Sequence, residues 1–197
     1  MKLFLTIFIS MALLTGQLVA QSSYTNYLKA FRSDYTAKHE VVKGKDKQYF
    51  RFFAANPAYK VNASFEKISD TTGFTMKTSS GSSKHYYKYG IAKFSLHDTT
   101  FQLFIYQSKA LLYTSYKDYL FIPFTDLTTG DLSYGSGRYI DLLISDIKDN
   151  HVVIDFNKAY NPYCAYSADY HCPIPPKENR LPVAINAGEM TFGKAHH

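Results

Sequence analysis

Residues 59–66 read Tyr59-Lys60-Val61-Asn62-Ala63-Ser64-Phe65-Glu66, and their alternation sets the architecture. Tyr59, Val61, Ala63 and Phe65 fall on one side of an extended chain, and Lys60, Asn62, Ser64 and Glu66 fall on the other. Side chains on a strand repeat with period two, so this segment predicts a strand with one face buried and one in water. Asn56-Pro57 breaks the chain just ahead of it. Asn62-Ala63-Ser64 matches a glycosylation sequon, but its place inside a strand makes that match read as chance.

Towards the C-terminus the reading repeats. Phe74 to Thr78 predicts a second strand after the turn Thr71-Thr72-Gly73, and the loop TSSGSSK, Thr78 to Lys84, predicts a flexible hairpin connection. His85 to Leu96 and Thr100 to Gln107 form the next pair, joined by His97-Asp98-Thr99. Tyr119 to Phe124 is a short apolar strand that runs through Pro123 towards Asp126 and Gly130. Tyr139 to Ser145 and His151 to Phe156 are strands around the turn Asp149-Asn150. There is no internal repeat, no interior linker and no alternation of strand with helix. The expectation is a mainly β (α+β) domain built on a single antiparallel β-barrel or curled sheet. Eighteen Tyr and fifteen Phe with no Trp suit such a core, because aromatic rings pack well on pleated surfaces.

Towards the N-terminus, Tyr24, Tyr27, Leu28, Phe31 and Tyr35 recur at three, four and seven residues between Lys29, Arg32, Asp34 and Lys38. This spacing predicts an amphipathic helix from Tyr24 to about Val41, with Gly44 ending the region and Lys45 to Phe50 adding one further helical turn. Residues 1–20 carry Lys2, an apolar block from Leu3 to Leu14 and small residues before Gln21, the pattern of a signal peptide. The expected product is an exported, periplasmic or secreted protein: one β-rich domain over 21–197 with no membrane span after cleavage. The net charge of +6 is mild and scattered, and its densest run, KHEVVKGKDK from Lys38 to Lys47, lacks the interleaved aromatics of a nucleic-acid face. Nucleic acid is therefore not an expected partner.

The segment Tyr134 to Glu189 holds both cysteines and five of the seven prolines. Its opening, YGSGR, lacks the third glycine, the following helix and the preceding parallel strand of a phosphate loop, and reads as a tight turn into a strand. Arg138 has two readings, a planar cation for a carboxylate or phosphate, or a buried ion pair with Asp155 or Glu178. Asn157, Tyr160, Asn161 and Pro162 form an ordered loop leaving the sheet. The run CPIPPKENRLP, Cys172 to Pro182, must be extended because each proline fixes φ, and it predicts a crossover over one end of the sheet. This course would carry Glu178, Asn179 and Arg180 over the loop that leaves Asp155. Leu181 to Asn186 predicts a last edge strand, and Thr191 to His197 a flexible tail.

Cys164 and Cys172 leave several readings open: a disulfide, a zinc site with His171, a reactive thiol activated by His171 or Arg138, or two inert thiols. The isolated pair lacks a second close pair of ligands, so no metal and no cofactor is expected.

The runs DFNKAYNPYCAYS and CPIPPKENRLPVAINAGE, with YGSGRYIDL upstream, resemble the bacterial family catalogued as domain of unknown function 1684. FFAANPAYKVNASFEKI and the KTSSG loop are similar to it too, so the likeness covers most of the mature chain. The resemblance implies that Arg138, Asp155, Asn157, Tyr160, Asn161, Pro162, Cys164, Cys172, Pro173, Asn179, Arg180 and Glu189 stand at the family's motif positions, and it brings no activity with it. The leading functional expectation is a pocket for a small polar or anionic ligand, formed by Arg138, Asp155, Asn157, Tyr160, Asn161, Glu178, Asn179 and Arg180. The alternative is a hydrolase or thiol enzyme using Cys164 or Cys172 with His171, supported by Glu178 or Asp155. Flavin binding by a split-barrel-like sheet rests on architecture alone.

Overall fold

The alternation at residues 59–66 becomes strand β1 (Lys60–Lys67), which buries Val61, Ala63 and Phe65 and exposes the residues between them. The computed structural model describes residues 21–194; the expected leader and the histidines at 196 and 197 lie outside the described residues. After β1 come β2 (Phe74–Lys77), β3 (Ser83–Leu96), β4 (Thr99–Ser108), β5 (Tyr119–Phe124), β6 (Arg138–Leu143) and β7 (His151–Asp155). They form one curled antiparallel sheet in the order β6-β5-β4-β3-β1-β7, with β2 also paired to β3. The α+β expectation holds, and the strand boundaries agree with the sequence reading to within two residues at every end.

Strand β3 is long enough to serve two partners. Its first residues pair with β2, while Gly90 to Lys93 pair with β1. The register against β4 slips between Lys88 and Gly90. A Cβ at position 90 would lie 2.2 Å from the Phe65 ring, so only glycine lets β1 and β3 close here. Inside the curl, Ala63, Ala92, Leu103, Ile105, Leu120, Ile122, Ile140, Val152 and Ile154 make one apolar core. The opposite face of β3 to β6 carries a second, aromatic cluster of Tyr86, Tyr106, Phe121 and Tyr139 with Met76.

A helix, α1, occupies residues 21–38. It buries Leu28 completely, as its stripe predicts, but leaves Tyr27 48% exposed. Tyr35 packs on the Phe50, Phe52 and Tyr160 rings. Polar contacts are added where the Tyr24 hydroxyl donates to Asp155 Oδ1 at 2.8 Å and Arg32 Nη1 donates to the Phe53 carbonyl at 2.9 Å. Residues Gly44–Tyr49 form the expected further turn, of 3-10 type.

Two expectations fail. Leu181 to Asn186 is not an edge strand: Pro182 interrupts its donors, and Leu181, Ile185 and Ala187 turn into the main core to close it. Only scattered backbone bonds tie it to Thr125 and Leu127. The tail expected to be flexible from Thr191 is docked as far as Lys194. Phe192 packs with Val42, Ala165 and Tyr166, and the Thr191 and Gly193 N–H groups donate to Leu132 and Tyr49 carbonyls at 3.0 Å.

Candidate functional site

The polar residues singled out in the C-terminal segment are mostly brought to the backbone of the crossover rather than to a common cavity. Arg138 is 0% exposed. Its Nη2 donates to Asp126 Oδ2 at 2.8 Å and to the Ile185 carbonyl at 2.9 Å, and its Nη1 donates to the carbonyls of Ala187 and Glu189. Asp126 Oδ1 in turn accepts from the N–H of Thr128 and of Ile185. The ion-pair reading of Arg138 therefore holds with a corrected partner: Asp126, not Asp155 or Glu178. A guanidinium and a carboxylate replace the ladder bonds that the non-strand 181–187 cannot make for itself.

Three asparagines work the same way. Asn179 accepts from Phe104 N–H at 2.8 Å and donates Nδ2 to the carbonyls of Phe104 and Pro123. Pro123 has no N–H for β4, so the Asn179 amide fills the gap where β4 and β5 separate. The Asn157 amide pairs with both backbone groups of Asn56 at 3.0 and 2.8 Å. Asn161 donates Nδ2 to the Met190 carbonyl at 2.8 Å and its own N–H to Glu189 Oε2 at 2.9 Å. Asp155 holds the Tyr24 hydroxyl and the Asn157 N–H. Glu178 is taken by Lys88 at 2.9 Å and by the Tyr106 hydroxyl, and Arg180 is exposed. The expected pocket of eight residues is thus not assembled.

Glu189 is a further buried acid, in addition to Asp126 and Asp155. It is 0% exposed, and its carboxylate accepts from the Tyr166 hydroxyl at 2.6 Å, the Tyr35 hydroxyl at 3.1 Å and the Asn161 N–H. Burial pushes its pKa up to about 7, against the lowering effect of those donors.

Of the eight, Asp155 and Tyr160 line a cavity, and Tyr160 leads to a residue the sequence reading passed over. The Asp141 carboxylate on β6 accepts from Tyr160 at 2.5 Å and from the Tyr119 hydroxyl on β5 at 2.7 Å, both at Oδ1. Oδ2 accepts no hydrogen bond from the described residues. Tyr160 is placed by the bridge of its backbone to Tyr139, which extends β6 at its free edge. Tyr119 is placed by the pairing of Tyr119 with Leu143. Asp141 is exposed, and its side chain lines an open cavity of about 1300 Å³. The surrounding protein raises its pKa, while its two tyrosine hydrogen bonds hold it down. Burial, followed by the neighbouring carboxylate, raises the Tyr160 and Tyr119 hydroxyls, so both phenols keep their protons and remain donors.

The walls of this cavity are aromatic on one side, with Tyr86, Phe121 and Tyr139, and Lys38, Lys60, Lys84, Lys148 and Lys158 stand around it. Asp155 lines it too. Asp141 stands at an exposed position between buried Ile140 and Leu142, where a polar residue is ordinary in a half-buried strand, so its sequence neighbours carried no signal for this site.

Cys164 and Cys172 are unbonded, and Cys172 lines the same cavity. Their side-chain partners are each other, Tyr134 and Ser79. His171 is exposed and Glu178 is committed to Lys88, so the acid, base and nucleophile of the thiol-enzyme alternative are not assembled. No group of three or more metal-binding side chains occurs among the described residues.

A family model described as a protein of unknown function, DUF1684, matches residues 47–190. The solution NMR structure of an uncharacterized protein of Haloarcula marismortui is similar at 29% identity and a TM-score of 0.65, covering 86% of this chain and 95% of that one. No curated protein matches the chain.

Proposed function

Since the chain belongs to the DUF1684 family of proteins of unknown function, which brings no activity with it, we propose from the cavity itself that the protein binds a small polar ligand at Asp141. The observation that carries this reading is the carboxylate clamped at Oδ1 by two tyrosines with Oδ2 left for an incoming donor. A hydroxyl or amino group of the ligand bonds Oδ2, its less polar body lies against Tyr86, Phe121 and Tyr139, and an anionic group, where present, meets the lysines. The two phenols preorganise the acceptor, so little is lost in ordering it on binding.

The test is thermal unfolding of the wild type and Asp141→Asn in the presence of hexoses, amino sugars and amino acids. One class is expected to raise the wild-type midpoint. At a hundredfold excess over Kd the stabilisation is about 2.7 kcal/mol, or ~5–10 °C for a chain of this size, and it should be absent in Asp141→Asn. A silent panel, or an equal response in the variant, rejects the site.

The leader-like residues 1–20 support a second proposal, that the protein acts outside the cytoplasm. No helix among the described residues is long and apolar enough to cross a membrane. Full-length protein expressed in a Gram-negative host is expected in the periplasmic fraction with a new N-terminus near Gln21. A chain that keeps Met1 in the cytosolic fraction contradicts export.

A further inference from the structure

Cys164 and Cys172 sit on two segments that are anchored separately and brought into contact. Cys164 belongs to the 3-10 turn Tyr163–Ala165, and the Tyr134 hydroxyl donates to its carbonyl at 3.3 Å and to its sulfur at 3.7 Å. Cys172 lies beside the end of β2. The Ser79 N–H donates to its carbonyl at 2.9 Å, its own N–H donates to Ser79 Oγ at 3.2 Å, and the Ile174 N–H donates to the Lys77 carbonyl at 2.8 Å. The Cys172 sulfur then accepts the Cys164 backbone N–H at 3.2 Å. The two thiols are also hydrogen-bonded to each other, the proximity that disulfide closure requires. Both cysteines are partly exposed and unbonded.

We propose that Cys164 and Cys172 form a redox-active dithiol that exchanges with a low-molecular-weight disulfide and closes reversibly to an intramolecular disulfide. Cys164 is the attacking sulfur. The Cys172 thiol and the Tyr134 hydroxyl both donate hydrogen bonds to it, which favours its thiolate, and the same contact keeps the proton on Cys172. The Cys164 thiolate attacks one sulfur of the incoming disulfide, whose S–S bond breaks and releases one thiolate that takes up a proton. Cys172 then gives its proton to water, and its thiolate attacks the Cys164 sulfur, breaking the mixed disulfide and releasing the second thiolate. The protein loses two hydrogens and two electrons, and the small disulfide becomes two thiols. The chain between the cysteines runs exposed from Ala168 to His171, which leaves the reagent a path to the pair. This inference does not depend on the cavity holding a ligand.

The test treats the reduced protein with glutathione disulfide in excess over glutathione, followed by alkylation and intact mass measurement. Wild type is expected to go from two free thiols to none, with a mass lower by two hydrogens, no glutathione adduct, and both thiols recovered on reduction. Cys172→Ser should stop at a single glutathione adduct on Cys164. Cys164→Ser should react on Cys172 at least about tenfold more slowly. Wild type that retains two free thiols, or carries adducts on both cysteines, overturns the dithiol, and this readout needs no variant to fold. A Cys164→Ser protein that reacts as fast as Cys172→Ser overturns the assignment of the attacking sulfur.

Discussion

Replacing Arg138 with Met is expected to destabilise the domain by about 3–5 kcal/mol, because it leaves the Asp126 carboxylate buried and uncompensated. The same change strips a donor from the carbonyls of Ile185, Ala187 and Glu189, which hold the closing segment over the core. For a chain of this size the loss corresponds to a midpoint lower by roughly 6–20 °C. Arg180→Ala is the matched control. Its side chain is exposed, so its midpoint should move by no more than about 0.5 kcal/mol in equivalent stability. Chemical denaturation of both variants checks the pair. If Arg138→Met loses less than about 1 kcal/mol, the buried pair does not secure the closing segment. In the double variant Arg138→Met, Asp126→Leu the charge is gone and part of the loss should return, since an apolar replacement of both partners is far less costly than removing one. The carbonyls left without donors keep that recovery incomplete.

The second large effect depends on pH. Glu189 has its pKa raised to about 7 by burial, whereas in the unfolded chain it titrates near the ordinary glutamate value of about 4.3. Between those two values the folded state holds the proton more tightly than the unfolded state. Stability from this group is therefore full below about pH 4.3 and is lost as pH rises through 7. The loss amounts to about 3 kcal/mol, or ~6–12 °C in midpoint. His39 runs the other way. It is buried, its Nδ1 accepts the Val42 N–H at 2.9 Å, and desolvation pushes its pKa down to about 4. It therefore adds stability as pH rises from about 4 to its unfolded value near 6.5, and it masks part of the glutamate effect in the wild type. Glu189→Gln removes one titration and leaves the other. The stability of wild type minus that of Glu189→Gln should fall by about 3 kcal/mol from pH 4.5 to pH 8. A difference that stays level with pH would show that Glu189 is ionised throughout.

These two experiments separate groups that look alike in the primary structure. Arg138 and Arg180 both lie in polar, turn-rich stretches, and each is a planar cation suited to an anionic ligand. One is sealed inside with Asp126 and the other faces water. Asp126 lies twelve residues before Arg138 and beyond the end of β5, so local pattern gave no reason to pair them. Asn157 and Asn161 were legible as residues that bond to backbone, whereas Asn179 was read only as a ligand candidate. Which backbone they meet depends on chain segments as far as 101 residues away. Asp141 was passed over, because one acid at an outward position of a strand is ordinary and its two phenol partners come from β5 and from the loop after β7.

The alternation of Tyr59 to Glu66 and its later counterparts was enough for the strands, their turns and the antiparallel class, since period-two patterning and turn chemistry are local properties of the chain. The stripe on α1 was equally local. The fate of the polar residues was not, because burial and hydrogen-bond partnership depend on segments that meet only after the sheet has curled. That curling turned a presumed ligand cluster into the stitching of the crossover. It also gathered Asp141, Tyr119 and Tyr160 from three separate stretches into one cavity, and set Cys172 against Cys164 by laying its segment along β2.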